Sequence, residues 1–193
     1  MTQPTASSLR LDSRALQVLA HPLRSRLLTA LRMDGPATAT ALAATLDTNT
    51  GATSYHLRKL ASVGLVEETG EGRGRERWWR AATEMHGWTE RDVAGDPDGA
   101  AAADWLRRYY LRSFIDRYES WLDAQAAWPL DWRDVAGASD VVLRLTPARL
   151  AAFQAEFEAM YERYRDGEAA DDDADERVIQ VYLYAFPFEA DPT

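Results

Sequence analysis

The chain has 193 residues, a formal net charge of −9, a pI near 4.8 and no cysteine. Its 46% apolar residues supply material for a packed core and exclude wholesale disorder. The missing cysteines exclude disulfides, thiolate metal sites and cysteine nucleophiles. No apolar run approaches the ~18 residues that a membrane span needs. Residues 1–13 (MTQPTASSLRLDS) carry no signal-like apolar stretch, so a cytoplasmic location is expected. Overall acidity argues against nucleic acid, whose phosphates want a basic surface. The charge is uneven, however. Residues 1–82 carry net +4 and residues 83–193 net −13, which suggests two regions with different partners.

In chain order, residues 1–9 are polar and predict a flexible terminus. Asp12 is a suitable N-cap for a short helix with Leu16 and Leu19 on its apolar face. His21-Pro22 then opens a second helix, with proline in the first helical position. Leu23, Leu27, Leu28 and Leu31 form its apolar stripe before Asp34-Gly35-Pro36 ends it. A short helix around Leu42, Ala43 and Leu46 follows. A turn at Asp47-Thr48-Asn49 leads into a helix from Thr50 to about Ser62, capped by the Asn49 side chain and stopped by Gly64.

Leu65–Glu68 and Arg77–Ala81 read as strands flanking a glycine-rich tip, Thr69–Glu76. Helix, helix, turn, helix and β-hairpin is the order of a winged helix-turn-helix. Residues 83–100, with Gly87, Gly95, Pro97 and Gly99, read as a linker. Residues 101–128 predict a helix of about 42 Å whose apolar residues cover more than one face, so both sides need covering. A strand at Val141–Leu145, a helix from Pro147, an acidic loop Asp166–Glu176 and a last strand Val178–Phe186 complete the chain. The expected fold class is α+β, mainly helical. Residues 10–82 form the winged helix-turn-helix, and 101–193 a long helix with a small β-sheet and helix.

The strongest motif runs Ala20-His21-Pro22-Leu23-Arg24, Leu42-Ala43, Ser54-Tyr55-His56-Leu57-Arg58-Lys59-Leu60 and Gly64-Leu65-Val66. With the hairpin end Arg75-Glu76-Arg77-Trp78-Trp79-Arg80-Ala81, it resembles the ArsR-type winged-helix transcriptional regulators over roughly residues 10–82. The resemblance implies that Thr50, Gly51, Ser54 and Tyr55 sit where family members meet DNA. Helical angle independently puts Tyr55, Arg58, Lys59 and Ser62 opposite the Thr53/Leu57/Leu60 face. Guanine edges and phosphates are both open to Arg58 and Lys59. Arg73, Arg75 and Arg77 on the glycine-rich tip suit a minor-groove or backbone contact, or are ordinary solvated charges. The sequence departs from the family pattern at Asp47, where glycine is common, and at Ala41, Thr48 and Thr53. Aspartate tolerates left-handed backbone better than most residues, so the turn survives.

Other candidate sites are weaker. His21 and His56 invite a metal or catalytic reading, but packed, hydrogen-bonded histidines fit the pattern better; His86 reads as a lone linker histidine. Asp171, Asp173 and Asp175 open like a calcium loop, which then fails at Glu176 and Tyr182. Gly70, Gly72 and Gly74 precede a strand, not the helix of a phosphate-binding loop. Neither a metal site, a cofactor nor an active site is expected. Among the aromatics, Trp105, Tyr109, Phe114, Tyr118 and Trp121 fit either an effector pocket or core and dimer interface.

The expected function is that of a homodimeric DNA-binding regulator on a palindromic operator, and the family resemblance favours repressor over activator. Residues 101–193 would supply dimer contacts and a pocket for a small-molecule effector. The alternative is a protein-interaction or small-molecule-binding module with a vestigial winged helix. Effector, operator sequence and regulated genes are not legible in the residues.

Overall fold

The computed structural model describes residues 6–70, 77–165 and 176–188. They divide into two units, Met1–Ser113 and Phe114–Thr193.

The first unit is built on α1 (Ser13–Leu19), α2 (Pro22–Met33), α3 (Ala39–Thr45) and α4 (Thr50–Ala61). Each begins on a side-chain cap. Asp12, His21, Thr38 and Asn49 accept amide protons of Ala15, Leu23, Ala41 and Ala52, satisfying donors that a helix start leaves orphaned. α2 is the hub. From its first turns Arg24 donates to the carbonyl of Val18, Ser25 to that of Leu19 at 2.9 Å, and Arg26 to that of Leu46 at 3.0 Å. The C-terminal ends of α1 and α3 are thus satisfied by one helix. Leu11, Leu16, Leu19, Leu27, Leu57, Leu60 and Leu65 are fully buried around it, each stabilising by about 1.5–3 kcal/mol.

A three-stranded sheet, β2 (Ala37–Thr38), β3 (Val66–Glu68) and β4 (Trp78–Ala81), covers one side in the order β2-β4-β3. Central Trp79 faces Ala37 on one neighbour and Glu68 on the other, and its side chain is buried. The short strand β2 was not evident in the sequence.

Residues 83–100 are not a linker. They hold β5 (Thr83–Gly87), a 3₁₀ turn at Glu90–Val93 and the start of α5 (Pro97–Ala124). β5 pairs in parallel with β1 (Ala6–Arg10), placing Ala6 opposite Thr83 and Arg10 opposite Gly87. Residues 6–9 therefore belong to a ladder and not to a flexible terminus. The glycines that suggested a connection do structural work. Gly95 adopts φ +82° in the turn. Gly99 lies so close to Ser13 that a Cβ there would collide with its hydroxyl. Asp96 holds this approach: it accepts from Ser13 and from the amides of Asp98 and Gly99, which keeps its carboxyl below the usual carboxylate range.

In the second unit α5 ends at Ala124, followed by a 3₁₀ turn at Gln125–Ala127, α6 (Leu130–Val135) and α7 (Pro147–Arg165). The strands expected at 141–145 and 178–186 form no ladder among the described residues. Strand-like composition yields a sheet only where a second strand is in reach. The calcium-like loop at Asp171–Asp175 lies outside the described residues.

The turn between α3 and α4 supplies a stability test. Asp47 has φ +50°, while Thr48 N–H closes on the carbonyl of Ala43 at 2.9 Å. Asp47→Val puts a β-branched residue in that left-handed position and is expected to cost about 1–2 kcal/mol in urea denaturation. Asp47→Gly is expected to stay within about 1 kcal/mol of the parent.

Candidate nucleic-acid interface

Helix α4 has two faces with different fates. Thr53, Leu57 and Leu60 are fully buried. The Thr53 hydroxyl, at a position that is commonly apolar, donates to the carbonyl of Asn49 at 3.1 Å and so enters the core satisfied. On the other face Thr50, Gly51, Tyr55, Arg58, Lys59 and Ser62 are exposed and Ser54 is half-buried. Tyr55 is 53% exposed, and the Lys59 ammonium sits 5.6 Å from its ring centroid, a cation–π contact that steadies the lysine. Neither Arg58 nor Lys59 makes an ion pair among the described residues. At Gly51 the helix presents bare backbone, with only the capping oxygen of Asn49 nearby. The first turn of α4 thus offers bare backbone and small polar side chains, and its last turn adds the charges of Arg58 and Lys59.

Arg77 differs. Its guanidinium pairs with Glu68 at 2.7 Å on the neighbouring strand, and Arg80 pairs likewise with Glu67. Such exposed pairs contribute little stability, about 0–1 kcal/mol each, but they partly neutralise the hairpin. Arg73 and Arg75 lie outside the described residues.

His21 and His56 adjoin this helix. Their rings are 4.5 Å apart, and His21 Nδ1 accepts from the amide of Leu23 at 3.2 Å. His56 Nδ1 is buried without a hydrogen-bond partner among the described residues. Partial burial first, then Arg24 (and, for His56, His21), holds both below the ordinary histidine value. Groups of three or more His, Cys, Asp or Glu suited to a metal ion are absent among the described residues. No helix among them is long and apolar enough to cross a membrane.

The candidate effector aromatics fall into separate clusters. Trp105 stacks on Tyr109 at 5.1 Å in the first unit. In the second, Phe114 stacks on Tyr118 at 5.7 Å and Trp121 meets Trp128 edge-on at 5.5 Å.

Sequence comparison agrees with this geometry. Residues 19–69 match a family described as a helix-turn-helix domain. A possible transcriptional regulator for arsenical resistance shares 32% identity, covering 57% of this chain and 95% of its own, with TM-score 0.32. The chain carries a helix-turn-helix domain of the ArsR type. A homodimeric winged helix-turn-helix DNA-binding domain from Mycobacterium bovis, described as a possible ArsR-family transcriptional regulator, shares 24% identity. It covers 54% of this chain and 76% of its own, with TM-score 0.34. A mutant of ZitR from Lactococcus lactis, in apo form, shares 14%, covering 75% of this chain and 83% of its own, with TM-score 0.33. These TM-scores are too low for the superpositions to carry weight; the relation rests on sequence. No curated protein matches the chain.

One residue of the ArsR-type domain's surroundings escaped sequence reasoning. His86 is not a lone histidine. Its Nδ1 accepts from Arg32 Nη1 at 2.8 Å, which leaves Nε2–H to donate to the Tyr110 hydroxyl at 2.8 Å. Arg32 also donates to the carbonyl of Thr83 at 2.9 Å, so α2, β5 and α5 meet at this ring. The only sequence cue was a histidine and a tyrosine in segments of unlike type. Burial, with the Arg32 charge beside it, drops the His86 pKa to about 3.

Because the folded value lies below the 6.5 of free histidine, folding favours the neutral ring. Stability is complete above about pH 6.5 and falls as pH drops toward 3, by about tenfold in the folding equilibrium per pH unit for this group alone. His21 and His56 add in the same direction. Urea titrations between pH 7.5 and 5 are expected to show this loss, and His86→Gln to flatten it while lowering stability at pH 7.5.

Proposed function

We propose that the chain is a homodimeric, sequence-specific transcriptional regulator, a repressor, that binds a near-palindromic operator through α4 and its β-hairpin. The observation that supports this best is the division of α4. One face is spent on the core, and the other offers Thr50, Gly51, Ser54, Tyr55, Arg58 and Lys59 to a major groove. A helix-turn-helix docks with the N-terminal residues of its second helix at base edges, while flanking cations hold phosphates. The hairpin with Arg73, Arg75 and Arg77 follows the adjacent backbone or minor groove. Two copies related by a two-fold axis present two such helices to successive major grooves, hence the palindrome.

Residues 83–100 lie within the first unit, so the boundaries proposed here are a reading head up to residue 113 and a self-associating region beyond it. Regulation then consists of a change in the spacing or mobility of the two heads. A small-molecule effector acts on it only through different affinities for the two dimer states.

Salt-dependent binding to genomic fragments tests the reading. The chain is expected to enrich particular sites, with affinity falling steeply as salt rises because phosphate contacts release counterions. Arg58→Ala is expected to weaken binding to the enriched site by about 1–3 kcal/mol, roughly fivefold to 150-fold. Arg73→Ala is expected to lower the salt slope across all sequences. Absence of enrichment, with both variants binding like the parent, would favour a protein-interaction or ligand-binding module instead.

A further inference from the structure

A run of ring contacts leads from the start of α2 to the outward face of α4. The His21 and His56 rings lie 4.5 Å apart between centroids, and the Tyr55 ring meets His56 edge-on at 5.1 Å. Adjacent residues on a helix do not face each other, so these last two rings lean together. The Tyr55 phenol lies within electrostatic reach of Arg24 on α2, and the Lys59 ammonium is 5.6 Å from its ring centroid. Arg24 is itself tied to the Val18 carbonyl. Tyr55 is therefore braced from α2 as well as along α4, with half of its surface left bare.

The brace depends on neutral imidazoles. His21 Nδ1 accepts the Leu23 amide proton, so the neutral ring carries its hydrogen on Nε2. A second proton would face that amide donor to donor and break the cap of α2. A charged His56 ring carries a hydrogen on both nitrogens. Its Nδ1, buried and without a hydrogen-bond partner among the described residues, would then be a cationic donor with nothing to accept it. No carboxylate forms an ion pair with either ring among the described residues. Beyond burial itself, the charges acting on the pair are Arg24 on α2 and each ring on the other. Through Arg24, α1 contributes only the uncharged Val18 carbonyl, and α4 adds the Tyr55 phenol with Lys59 across its ring. The charges in this corner are all positive, so none of them compensates a protonated ring.

We infer that the His21–His56 pair positions the Tyr55 ring for base recognition, and that protonation of the pair releases it. The inference rests on the DNA-binding reading above and makes sequence discrimination, not affinity as such, depend on pH. Tyr55 offers an aromatic face suited to a thymine methyl group. A ring held by packing loses less freedom on binding than a loose one, and it presents one geometry to the bases. A protonated His56 must leave its buried seat to reach water, which removes the edge contact beside Tyr55. The added positive charge meanwhile strengthens attraction to any duplex. Acid therefore raises indiscriminate binding while it lowers discrimination.

The full chain is titrated by fluorescence anisotropy, at one ionic strength, against the genomic fragment it enriches most and a shuffled duplex of equal length. The ratio of the two affinities cancels any unfolded fraction, including the part that His86 causes. Between pH 7.5 and 5 this ratio is expected to fall about tenfold, the scale of one lost base contact. The fall should follow the imidazole Cε1–H shifts of His21 and His56 in NMR spectra. His56→Phe and His56→Gln, which cannot be protonated, are expected to hold the ratio level over that range. The glutamine variant serves if the larger phenylalanine ring disturbs the fold. Tyr55→Ala is expected to lose about tenfold in the ratio already at pH 7.5 and to show no further fall. Three results would overturn the inference. A level ratio in the parent down to pH 5 shows that the pair does not act on the reading face. A fall of parental size in both His56 variants assigns the effect to other groups. Parental pH dependence in Tyr55→Ala places the coupling elsewhere. In each of these cases enrichment persists and the DNA-binding reading survives, whereas a parent that enriches no fragment removes both.

Discussion

What the first unit can offer a duplex depends on the rotation at which α4 is seated. Thr53, Leu57 and Leu60 enter the core completely, and Asn49 pins the first turn at the other end. A turn of the helix about its axis would bury Arg58 or Lys59, at the cost of desolvating an unpaired charge. With these anchors in place only one face remains for DNA. The contacts around α2 protect this arrangement at one remove. Arg24, Ser25 and Arg26 take the carbonyls of α1 and α3 ends, so the helix that precedes the α3–α4 turn cannot drift from the helix against which α4 packs.

The same unit ties its core to α5 through polar contacts. Arg32 reaches Thr83 and His86, and His86 reaches Tyr110. A buried network of this kind holds one geometry because each alternative leaves a donor or acceptor stranded. The first part of α5 thereby becomes a continuation of the head: Ala102, Ala103 and Leu106 lie in the same apolar cluster as Leu16 and Leu57.

Local signals were legible in the sequence and long-range ones were not. Asp12, Pro22, Asn49 and Gly64 mark helix ends because capping chemistry depends on residues within one turn, and all four stand where the structure uses them. Aspartate at position 47 was legible as a left-handed turn residue for the same reason. The β1–β5 ladder joins residue 6 to residue 83, and no local pattern announces a partner so distant. Gly95 and Gly99 misled because glycine marks both loops and close approaches, and only the neighbour, here Ser13, distinguishes them. For the interface, helical angle found the outward face of α4. It could not foresee that Arg77 is shared with Glu68, since cross-strand pairing depends on register.

Charge distribution connects the two proposed associations. The basic excess lies in residues 1–82 and the acidic excess beyond, so two copies approaching body to body carry like charge against each other. Repulsion over such distances is screened within about 8 Å at physiological salt, so it opposes the proposed association only weakly. Apolar contact between copies gains from added salt, or is indifferent to it, whereas the phosphate contacts proposed for Arg58 and its neighbours lose. On the proposed reading, a rise in ionic strength therefore releases the duplex before it separates the two copies. The steep salt slope, on that reading, then belongs to the α4 face and its hairpin alone.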